Sequence, residues 1–66
     1  MRVEILEIST YNAGQFLVQT ENGEQYACVL ENKDRDWDKL YDHLTGYMNI
    51  RATKIGPAHF VVHEIY

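Results

Sequence analysis

Few side chains in this sequence can do acid–base, nucleophilic or metal chemistry. Foremost are His43, His59 and His63, the single cysteine Cys28, and ten carboxylates, among which Asp34, Asp36 and Asp38 alternate. An Asp-x-Asp-x-Asp run is how a calcium loop begins, because alternate carboxylates can converge on one cation. The glycine such a loop needs at its sixth position is Lys39 here, and its twelfth residue is Thr45 in place of glutamate. The run reads instead as a helix start, where carboxylates meet the positive end of the helix dipole.

His59 and His63 would share a metal on a helix. On a strand they stand about 13 Å apart along one face, too far for one zinc ion with bonds of about 2 Å. Cys28 sits among apolar neighbours, where nothing stabilises a thiolate for attack with His43 as base. The four glycines, at 14, 23, 46 and 56, are isolated, so no phosphate-cradling loop exists, and no serine stands in a strand-to-helix elbow. The expectation is a protein with no catalytic centre, no metal and no cofactor.

The elements that position these residues are legible from periodicity. Val3, Ile5, Leu6 and Ile8 change phase between Ile5 and Leu6, as in a strand that bulges or is covered on both faces, which predicts a strand over 2–9. Residues 15–20 form a second strand after the turn-prone Asn12-Ala13-Gly14, and Asn22-Gly23 predicts a type I′ turn into a third over 25–31. Trp37, Leu40, Tyr41 and Leu44 recur at helical spacing, giving a helix over 34–45 with Asp34 as N-cap and Gly46 at its C-terminal end. Met48, Ile50 and Ala52 alternate with polar residues in a fourth strand over 48–54. Gly56-Pro57 then turns into a fifth over 58–66.

The result is a small α+β single domain over 1–66 in the order β-β-β-α-β-β. This order suits either an antiparallel sheet or an OB-like five-stranded barrel, in both cases with one amphipathic helix.

Composition bounds the function. With 66 residues, 45% hydrophobic and 24% charged, the chain is an ordinary globular sequence with a thin core. One cysteine cannot form an internal disulfide, the apolar runs are too short for a membrane span, and Glu4 and Glu7 interrupt any signal-peptide core, so a cytoplasmic protein is expected.

The net charge of −4 resides in residues 21–42, where seven acidic residues face three basic ones. A nucleic-acid binder ordinarily carries a basic patch. The first expectation is therefore a small acidic protein-binding module: an adaptor, a subunit or an inhibitor of a larger complex. A phage or mobile-element inhibitor that imitates nucleic-acid charge is a special case. Its contact residues would be the helix stripe Asp34, Asp38 and Asp42, the neighbouring Arg35 and Lys39, and the turn tyrosines Tyr11 and Tyr47. A thin core and free sheet edges favour a homodimer. The alternative is an OB-like single-stranded nucleic-acid-binding domain, in which Phe16, Tyr26 and Phe60 stack on bases while Arg51 and Lys54 meet phosphates.

Overall fold

The computed structural model describes residues 1–66. The elements are β1 (Arg2–Ile8), β2 (Gln15–Thr20), β3 (Gln25–Leu30), α1 (Lys33–Tyr41), β4 (Tyr47–Gly56) and β5 (His59–Ile65). The five strands close into a barrel in the order β1-β2-β3-β5-β4. Four pairings are antiparallel, and β3 and β5 run parallel because α1 and β4 intervene between them. A closed five-stranded barrel with one helix between its third and fourth strands is the OB-type arrangement.

Closure gives every strand two neighbours, so the free sheet edges expected from a small open sheet shrink to strand ends. No helix is long and apolar enough to cross a membrane.

Alternation decides what fills the barrel. Val3, Phe16, Val18, Cys28, Leu30, Met48, Ile50, Val62 and Ile65 are buried in one cluster, which Leu40 of α1 joins. Burial holds the Cys28 thiol up at about 11.

Three bulges interrupt the alternation. Leu6 is the extra residue in β1, between Ile5, opposite Val18, and Glu7, opposite Leu17; this is the phase change visible in the sequence. Ile55 is the extra residue in β4 and His63 the extra residue in β5.

Two local expectations are corrected. Only Gly23 of the Asn22-Gly23 pair has positive φ, so the turn is not type I′. Gly23 N–H donates to the Thr20 carbonyl at 3.0 Å and Thr20 N–H to the Glu24 carbonyl at 2.8 Å, leaving a three-residue loop with glycine at its left-handed position.

The helix starts earlier and ends sooner than its periodicity suggests. Asn32, not Asp34, is the N-cap, its Oδ1 accepting from Arg35 N–H at 3.1 Å. At the other end His43 N–H turns to the Leu40 carbonyl, and His43 Nδ1–H donates to the Lys39 carbonyl at 2.8 Å. The imidazole thus occupies the carbonyl that a further α-helical turn would require. Leu44 falls beyond the helix, exposed, and Gly46 serves the turn into β4.

Candidate functional site

Because Phe16, Cys28 and Phe60 point inward, Leu17, Ala27 and His59 point out of the barrel. Register aligns them: Glu7 faces Leu17, Leu17 faces Ala27, and Ala27 faces His59, across β1, β2, β3 and β5. A second row runs Gln15, Val29, Val61, Thr53 across β2, β3, β5 and β4. Leu17, Ala27 and Val29 form the apolar floor of an open groove of about 520 Å³ on this outer face.

The walls come from two turns. On one side stand Ser9, Thr10 and Tyr11. Ser9 Oγ accepts from Asn12 N–H at 3.0 Å and Tyr11 N–H at 3.2 Å, while Leu30 N–H donates to the Gly14 carbonyl at 2.8 Å, so the turn is tied to β3. Gly14 has φ +86°, and a Cβ there would lie 3.3 Å from Lys33 Cβ, so the tie needs glycine. Tyr11 stands out from this turn, 93% exposed. On the other side are Ile55 and His59. The β4 bulge leaves Ile55 59% exposed, where regular alternation would have paired it.

The lining holds one carboxylate, Glu7, and no lysine or arginine. The lining thus combines an apolar floor with one rim carboxylate, the hydroxyls of Ser9, Thr10 and Tyr11 and the His59 imidazole, and it holds no lysine or arginine to neutralise phosphates.

Of the partner-contact residues expected from sequence, Tyr11 belongs to the groove, whereas Asp34, Asp38, Asp42, Arg35, Lys39 and Tyr47 do not line it. Asp34, Asp38 and Asp42 are exposed on the helix side. Arg35 and Lys39 are engaged with Asp36, which is fully buried. Arg35 Nε and Nη2 grip its carboxylate at 2.8 and 2.7 Å, and Lys39 Nζ stands 3.5 Å away. The Arg35 hydrogen bonds hold the Asp36 carboxyl below its ordinary value of 3.8, against the opposing effect of burial. Tyr47 lies under the Arg2 guanidinium, 5.1 Å from ring centre to Cζ.

Of the alternative set, Phe16 is 3% exposed and presents no face to a base. Tyr26 and Phe60 pack on each other at 4.9 Å, both half-buried, and the Tyr26 hydroxyl donates to Glu24 at 2.6 Å. That bond raises the tyrosine above its usual 10.0. Arg51 stands opposite Glu64 and Lys54 opposite Phe60, and neither lines the groove.

Sequence reading missed Leu17 and Ile55, named His59 without placing it in a groove, and took Asp36 for a helix-start carboxylate where it is buried. A signal for the groove was present in Leu17, Ala27 and Val29, which are apolar on the outer as well as the inner phase of β2 and β3. For Ile55 there was none, since its exposure follows from a bulge fixed by tertiary pairing.

No protein-family model, curated protein or solved structure matches this chain.

Proposed function

We propose that the domain is a protein-binding module whose outer β2-β3-β5 groove receives an extended segment of a partner protein. The exposed apolar floor carries this reading: Leu17, 39% exposed, with Ala27 and Val29, lies on a barrel face that no element of the chain covers. A segment with alternate apolar side chains fits a floor built from two register rows, and a lysine or arginine in it would meet Glu7. The acidic balance of the whole chain, −4, favours the same basic character in the partner and steers its approach.

Position favours a second reading, since strands two and three with the β1-β2 and β4-β5 loops are where barrels of this class take oligonucleotides. Exposed Tyr11 would be the stacking group in that case. The lack of lysine and arginine in the lining favours the protein segment.

The test is a photo-crosslinking residue placed at Ile55, compared with one at the exposed Glu21 across the barrel, in extract from the source cells. The reading expects a discrete polypeptide adduct from position 55, insensitive to nuclease and lost when Leu17→Asp is added. Adducts that vanish with nuclease, or equal yields from both positions, would overturn it.

A further inference from the structure

A hydrogen-bonded chain of three side chains lies beside the groove and has no part in the binding role. His63 Nδ1 is 2.7 Å from Glu31 Oε2, and His63 Nε2 is 2.6 Å from Thr53 Oγ1. A carboxylate accepts only, so Nδ1 carries the hydrogen and Nε2 is left to accept from the threonine hydroxyl. Hydroxyl, imidazole and carboxylate in this order are the nucleophile, base and orienting group of acyl transfer.

The geometry points to Thr53 as an activated nucleophile that accepts an acyl group from a neutral activated ester. Three features of the fold build the site. His63 is the bulged residue of β5, opposite the Arg51–Ala52 step, and a bulge re-aims a side chain. The His63 carbonyl is taken by Arg35 Nη2 at 2.6 Å, and Arg35 is itself locked on buried Asp36, so the backbone under the imidazole is held from the helix side. Thr53 is exposed at the end of the Val29–Val61 row, which offers an apolar surface to an acyl or aryl group.

The donor class follows from charge. Glu31 lies 2.7 Å from His63, and after Asp36, whose hydrogen bonds dominate, Glu64 and Glu31 also act on Arg35 to raise its pKa; these carboxylates balance the Arg35 cation, so a neutral ester needs no countercharge at this corner.

In the step, Thr53 Oγ1 bonds to the acyl carbon as its proton passes to His63 Nε2. The bond from acyl carbon to leaving oxygen breaks, and the leaving oxide either takes that proton from His63 or departs as the anion while His63 releases the proton to water, so the imidazole is neutral again in both cases. Water then attacks the acyl-threonine with His63 again as base, giving the free acid and restoring Thr53. Glu31 is a positioning residue that fixes the imidazole tautomer.

The probe is p-nitrophenyl acetate, with nitrophenolate release followed optically and the acetylated residue located by peptide mapping. One acetyl group on Thr53 of the unaltered protein, caught by acid quench before water removes it, is expected. Thr53→Val should abolish that label and Thr53→Ser retain it, with His63→Gln slowing labelling by about 100-fold. Glu31→Gln should slow labelling with the melting temperature unchanged, and Glu31→Asp should restore part of the rate, an outcome a purely structural contact would not give. Acetyl groups confined to lysines, the amino terminus or His63, or equal labelling of the Glu31→Gln and unaltered proteins, would overturn the assignment. Mapping on the unaltered chain keeps the test decisive if a variant fails to fold.

Discussion

Arg35 and Asp36 are neighbours in sequence, yet one is half-exposed and the other fully buried, joined by two hydrogen bonds of 2.8 and 2.7 Å. Through Nη2 the same guanidinium reaches the His63 carbonyl, so this pair fastens the first turn of α1 to β5. Removing Arg35 would leave a buried carboxylate with only Lys39 beside it. Arg35→Met is therefore expected to lower the melting temperature at pH 7 by more than Arg51→Ala, whose guanidinium is exposed. Equal melting temperatures would show that the pair does not fasten the helix.

The same pair sets an acid limit. Asp36 binds its proton more weakly in the folded protein than at its ordinary value of 3.8. Its contribution is thus complete above about pH 4 and is lost as pH falls through the lower folded value. Chemical denaturation from pH 7 down to pH 2 should show stability falling in that acid window, and Asp36→Asn should flatten this part of the fall. An unchanged slope in Asp36→Asn would contradict the assignment.

Leu40 and Leu44 share one helical stripe in sequence but have opposite surroundings, 0% and 54% exposed. Leu40→Ala should destabilise by about 2–5 kcal/mol through lost burial and a cavity. Leu44→Ala should stay within about 0.5 kcal/mol, as exposed substitutions do. Comparable losses in urea denaturation would mean that the helix runs on past Tyr41.

Cys28 lies in the barrel interior with its thiol pushed up to about 11. A disulfide reagent at pH 8 should therefore label it only as fast as the barrel opens, and at once in denaturant. Immediate labelling of the folded protein would place the thiol outside the core.

The element order was legible because period-two runs and turn residues recur at short intervals from Val3 to Ile65, but it suited an open antiparallel sheet as well as a barrel, and closure with a parallel β3-β5 pair emerged only from the pairing of distant strands. The phase change at Leu6 was legible too, though within its own strand it fitted a bulge or a strand covered on both faces, and the pairing with β2 shows the bulge. The bulges at Ile55 and His63 were not legible, because each is an offset between two strands and leaves no mark within either. Asp36 read as a surface carboxylate of a helix start; its burial depends on where α1 sits over β3 and β5, with Arg35 and Lys39 beside it. The groove needed both rows in register before Leu17, Ala27 and Val29 became one surface.

The most direct test of the binding account uses a random peptide library selected on the immobilised domain, with the best peptide titrated into isotope-labelled protein. The account predicts peptides with alternate apolar residues and a lysine or arginine. Amide shifts should centre on Leu17, Ala27, Val29 and Ile55, with affinity falling at least about tenfold, or about 1.4 kcal/mol, in Leu17→Asp. Shifts centred on Asp34, Asp38 and Asp42, or affinity unchanged by Leu17→Asp, would contradict it.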